Sequence, residues 1–166
     1  MKINLKLIKI VTLIAATVLV QACGGDGYNS PNPTPTKTPA ELATEALTGT
    51  GTLTWTLAGT NSVTRDGTNV TDLYTNFELV LNSGSSKTYT SKNNNDLFDT
   101  SGNWSFAGTN FDKFTLAGSK PASAREISFT RTEDNLRLIF TITAPGARIN
   151  GTFAVAGNYV FNLNKK

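Results

Sequence analysis

The chain has 166 residues, no histidine and one cysteine, with fifteen Lys and Arg against twelve Asp and Glu. Without imidazole it lacks the commonest general base, the commonest metal ligand and every Ser–His arrangement, and a lone thiol permits no internal disulfide. The formal charge of +3 comes from a cluster near the start and makes no electrostatic footprint for nucleic acid.

Lys2, Lys6 and Lys9 precede an uncharged run, Ile10 to Val20, built mostly of Ile, Leu, Val and Ala. A positive start, an apolar stretch of roughly 7–15 residues and a small residue at the cut are the parts of a secretory signal. The run is shorter than the about 20 residues a membrane span needs, so residues 1–22 are read as a signal peptide. The cysteine follows immediately. The block Val20-Gln21-Ala22-Cys23 resembles the bacterial lipobox. That resemblance implies that Cys23 is joined to diacylglycerol through a thioether, becomes the first mature residue and is acylated on its amine with a palmitate-type chain. A protein so modified is a lipoprotein whose partner is membrane lipid. Each buried methylene contributes about 0.8 kcal/mol and more than one chain is needed for stable anchoring. Losing the three lysines leaves twelve basic side chains against twelve acidic, a neutral chain. Gly24 rather than Asp follows the cysteine, which by the same resemblance implies the outer membrane, with the periplasmic and surface faces both open.

Residues 23–38 are the lipidated cysteine and a tether. Pro31, Pro33 and Pro35 stand among Gly, Asn, Ser and Thr, a composition that buries no core and favours extended backbone. Thr38, Pro39 and Glu41 then have the spacing of a capping box with proline in the first turn, and Gly49 supplies a stop. The pattern predicts a helix over 39–47, with Leu42, Ala46 and Leu47 on its apolar side. A helix so short is marginal alone and must dock.

From Gly51 the helical period disappears. Short runs rich in Thr, Val, Phe, Tyr and Ile, cut by Gly, Asn, Asp and Ser, read as strands. Thr52–Leu57 sets Leu53, Trp55 and Leu57 against threonines, and Asp66-Gly67 joins Ser62–Arg65 to Thr68–Thr71 as a hairpin turn. Further strands centre on Leu79, Tyr89, Trp104, Phe114, Ile127, Leu138 and Phe161, with a Pro145-Gly146 turn before Phe153 and Val155. No connection is long enough for a crossover helix, so the sheet is antiparallel. Closure into a barrel removes its edges.

The pieces Leu47-Thr48-Gly49 with Trp55-Thr56-Leu57, Asp66-Gly67, Gly102-Asn103-Trp104-Ser105-Phe106 and Gly157-Asn158-Tyr159-Val160-Phe161-Asn162-Leu163 together resemble the lipocalin (calycin) pattern. They are most similar to small lipocalin-like lipoproteins of the Bacteroidetes type. The resemblance covers roughly residues 39–164. It implies an all-β fold: an antiparallel up-and-down lipocalin-like β-barrel of about 8–10 strands over 39–166, preceded by one short helix. It also implies that Trp55 plugs the closed end.

Chemistry is scarce. With Cys23 committed to lipid, the remaining inventory is carboxylates scattered at turns, among them Asp66, Asp72, Asp96, Asp99, Asp112, Glu133 and Asp134. The expectation is no enzyme and no cofactor. Asn93-Asn94-Asn95-Asp96-Leu97-Phe98-Asp99 is the most oxygen-rich loop and the one candidate for Ca²⁺, with a plain polar hairpin loop as the simpler reading. Three functions stay open: a small apolar ligand held inside the barrel, a filled barrel whose outer face meets another envelope protein, and carbohydrate binding through Trp104 or Tyr89.

Overall fold

The capping box forms as the spacing predicts. In the computed structural model, which describes residues 36–143 and 155–166, helix α1 spans Pro39–Thr48. The Glu41 amide donates to Thr38 Oγ1 at 3.3 Å, and the Thr38 amide donates to Glu41 Oε2 at 2.7 Å. These two bonds satisfy donors that a helix start leaves orphaned. The backbone hydrogen bond from Thr38, then its hydroxyl, lower the Glu41 pKa. At the other end Gly49 turns into positive φ, 60°, and its amide returns to Glu45 O at 2.8 Å. One expectation is corrected. Leu42 is 54% exposed, whereas Leu47 and Thr48 are fully buried. The helix touches the sheet by its last turn, so only that turn's apolar residue is covered.

Ten strands follow: β1 (Thr52–Leu57), β2 (Val63–Arg65), β3 (Thr68–Asn69), β4 (Glu78–Asn82), β5 (Thr88–Lys92), β6 (Ser101–Phe106), β7 (Lys113–Leu116), β8 (Ile127–Thr132), β9 (Asn135–Ile142) and β10 (Gly157–Lys165). From β4 onward each pairs antiparallel with its successor, β1 pairs with β4, and β10 returns to pair with β1. The result is a closed eight-stranded antiparallel barrel with one short helix. Closure removes the unpaired edges that make open sheets prone to association. Asp66 (φ 49°) and Gly67 (φ 80°) both take the left-handed conformation a two-residue hairpin needs between β2 and β3. The region read as a strand through Thr71 ends at Asn69, and Thr71–Tyr74 forms a 3-10 turn. The Pro145-Gly146 turn and Phe153, like Cys23, the signal segment and the tether up to residue 35, lie outside the described residues.

Alternation places the apolar residues inside and Thr, Asn, Ser and charged residues outside. Strand β9 shows it most plainly: Leu136, Leu138, Phe140 and Ile142 are buried, while Asn135, Arg137 and Thr141 are exposed. A barrel that spans a membrane has the opposite arrangement; this one keeps its apolar face for its own core.

The end of the barrel under α1 is held by two side chains. Trp55 is fully buried and its Nε1 donates to Leu47 O at 2.9 Å, tying β1 to the helix. Arg131, from β8, lies 5.4 Å from the centre of the Trp55 ring. One of its terminal nitrogens donates to Glu45 O at 3.1 Å and to Ala46 O at 3.0 Å. A cation on the last carbonyls of a helix suits the helix dipole, and it adds a donor to Ala46 O and a second one to Glu45 O, which the Gly49 amide already reaches. Trp55 therefore closes this end, as the lipocalin resemblance implies.

Replacing Arg131 by Met keeps the aliphatic packing but removes three hydrogen bonds, to the carbonyls of Glu45, Ala46 and Glu133, and the cation over the indole. We expect a loss of about 2 kcal/mol, read as a lowered urea midpoint. An unchanged midpoint would show that the helix is held by Trp55 and Leu47 alone.

Candidate functional site

Within the described residues the barrel interior is occupied by its own side chains. Phe161 of β10 is the hub at the end away from α1. Its ring centre lies 5.1 Å from Tyr74, 5.3 Å from Phe77, 5.7 Å from Phe98 and 5.9 Å from Phe140, and Tyr159 is 6.4 Å away. All six are at most 2% exposed. They reach the cluster from separate elements: the 3-10 turn, the approach to β4, the β5–β6 loop, β9 and β10. Aromatic pairs at these separations gain about 0.5–1.5 kcal/mol beyond their area burial. Burial raises the Tyr74 phenol well above its ordinary value, with Tyr159 adding to the shift. It stays neutral and offers no base.

The oxygen-rich loop proves to be half core. Leu97 and Phe98 are buried and face inward, a role that sequence reasoning missed although two apolar residues amid Asn and Asp were the available signal. The loop's oxygens do not converge. The Asn94 amide nitrogen donates to Ser91 Oγ at 2.6 Å, and Asp96 accepts from Lys120 Nζ at 2.8 Å. Asp99 accepts four bonds, from the amides of Ser119 and Lys120 (both 2.9 Å) and the hydroxyls of Ser119 (3.1 Å) and Ser123 (2.6 Å). Its carboxylate organises the β7–β8 loop. A Cβ on Gly118 would fall 2.0 Å from Asp99 Oδ2, so only glycine admits this approach.

Burial acts to raise the Asp99 pKa, but the bonds from Ser123, Lys120 and Ser119 together outweigh it and hold the carboxyl below its ordinary value of 3.8. A carboxyl lowered in the folded state stabilises it above the unfolded pKa, and the gain is lost as pH falls through the folded value. Asp99→Asn should therefore unfold more easily than wild type at neutral pH, by about 2 kcal/mol. The difference should shrink on titration below 3.8. Urea unfolding at several pH values checks this; a gap that persists in acid would mean the loss is steric.

The two tryptophans and Tyr89 are structural. Trp104 is 2% exposed, its Nε1 donates to Asn82 O at 2.9 Å, and Phe106 and Phe114 meet it edge-on at 5.3 and 6.2 Å. Lys87 Nζ lies 5.5 Å from the centres of both Trp104 and Phe106. Tyr89 is equally buried and donates to Ala117 O at 2.9 Å, and burial pushes its phenol up to about 12. Neither ring presents a face for a sugar to stack on, which corrects that part of the carbohydrate reading. Two of the turn carboxylates are engaged by other elements: Asp66 accepts from the Asn158 amide at 2.8 Å, and Asp134 lies 3.7 Å from Lys165. Among the described residues no group of three or more metal-ligating side chains gathers, and no helix is long and apolar enough to cross a membrane. Compared with protein-family models, curated proteins and solved structures, the chain matches none.

Proposed function

We propose that this protein is a lipid-anchored, non-catalytic component of the bacterial envelope whose barrel is a solid scaffold presenting its outer wall to a partner. The observation that carries the reading is the aromatic cluster around Phe161. Five ring contacts fill the barrel end that the helix leaves open, the place where a small apolar guest would otherwise lie. Eight-stranded barrels have interiors just wide enough for side chains to fill. Scaffold and carrier therefore differ in packing rather than in fold, and the packing among the described residues favours the scaffold. Absence of histidine and neutral, buried phenols support a non-catalytic role.

The packing reading is tested on residues 24–166 made without the leading segment, so that no acyl chain competes. We expect the apolar dye 1-anilinonaphthalene-8-sulfonate and added palmitate to show no saturable binding, and native mass spectrometry to show the bare polypeptide mass. Stoichiometric palmitate binding that is lost in Phe98→Trp would restore the carrier. Anchoring rests on the lipobox resemblance around Cys23 and is tested separately. Labelled palmitate fed to cells should enter the wild-type chain and be absent from Cys23→Ser; label on both, or on neither, would remove the lipoprotein reading.

A further inference from the structure

The outer wall carries one irregularity that closing the barrel does not require. Strands β1 and β2 lie end to end along β10, yet they are not in one register. Leu57 faces Leu163 and Val63 faces Phe161, so the chain advances six residues while β10 advances two. The excess is expelled as a loop at Gly59–Ser62, and it is firmly built. Ser62 Oγ accepts from the Gly59 amide at 2.6 Å and donates to Gly59 O at 2.7 Å, and Asn69 Nδ2 holds Thr60 O at 3.2 Å. Opposite stands the 3-10 turn. It is fixed where the Val63 amide donates to Thr71 Oγ1 at 2.9 Å, and just beyond it Asn76 takes the left-handed conformation (φ 61°). Between loop and turn lies a cleft of about 530 Å³, with Thr56 and Glu78 on its floor and Lys166 at its side. That is the size of a small-molecule site.

The chemistry of the lining is specific. Asp72, Asn76 and Thr60 line the cleft, are exposed, and direct no side-chain hydrogen bond to another of the described residues. Glu78 has two cations, Lys166 and Lys92, the latter at 3.7 Å, so its charge is already balanced. A carboxylate, a carboxamide and a hydroxyl lining one cleft supply both acceptors and donors, the complement of the several hydroxyls of a pyranose. The charged groups of the cleft, Asp72 and Glu78 against Lys166 and Lys92, cancel, so nothing there selects an ion, and a purely apolar ligand would displace water from the polar groups without replacing its hydrogen bonds. From this we infer that the cleft between the Gly59–Ser62 loop and the Thr71–Tyr74 turn binds a neutral saccharide, gripped by Asp72, Asn76 and Thr60. The inference deepens the reading of the outer wall as the working surface, and it places the contact away from Trp104 and Tyr89.

The test uses ¹⁵N-labelled full chain in a detergent without a sugar headgroup, titrated separately with mannose, galactose, N-acetylglucosamine and CaCl₂. At least one sugar should move the amides of Thr60, Asp72 and Asn76 saturably in the millimolar range. Asp72→Ala and Thr60→Val, both at exposed positions, should each weaken that response by about tenfold while the core amides keep their shifts. Three results would overturn the inference: no response to any sugar, a response confined to residues elsewhere, or a response of the cleft to Ca²⁺ alone. Each is distinct from the interior-binding result that would overturn the scaffold, because palmitate is read inside the barrel and the sugar outside it.

Discussion

A guanidinium wedged between an indole and the last carbonyls of a helix holds the closed end of this barrel together. Arg131 comes from β8, Trp55 from β1 and the carbonyls of Glu45 and Ala46 from α1, so one side chain from late in the chain fastens its first two elements. A single-turn contact such as that of Leu47 would not hold a ten-residue helix in water. The cation adds hydrogen bonds at the helix end and shields them from solvent under the ring. With that end shut, Leu53, Leu79 and Leu81 have a floor to pack against, and closure by β10 leaves no long edge exposed.

Much of this was legible because the outward and inward sets differ so sharply. Thr52–Leu57 sets threonines against Leu and Trp, and Glu78–Asn82 sets Glu, Val and Asn against two leucines; a period of two with one apolar face admits little besides an antiparallel sheet. The helix start was legible because Thr38, Pro39 and Glu41 act within four residues of one another. Contacts made across the fold were not. Arg131 reads as one exposed charge on a strand until β8 is brought beside the helix. Leu42 reads as core until only the helix's last turn is seen to touch the sheet. Leu97 and Phe98 were hidden by their polar neighbours.

The candidate cleft was the least legible feature. Gly59, Thr60 and Asn61 look like any turn, and nothing in their composition tells that β2 resumes along the strand that β1 has just left. The register jump exists only once β10 lies beside both. The hydroxyl-rich lining drew no notice for the same reason: Thr and Asn are spread evenly over the outer wall, and their gathering in one recess is a tertiary fact. The aromatic filling was partly foreseeable from nine phenylalanines, but which of them share one cluster depends on two connections, β3–β4 and β5–β6, that leave the sheet and return.

The dependence on β10 also bears on how the chain can be made. This strand pairs with β1, β2 and β9, so Trp55 waits for Lys165 before its own strand has a neighbour on that side. Non-local pairing of this kind is slow, because chain closure must come before the contacts that reward it. A polypeptide emerging from its amino end would expose an unfinished sheet until the final residues arrive. The barrel therefore shuts only when β10 is in place, and the strands on either side of it, β1 and β9, gain their second neighbours in that one step.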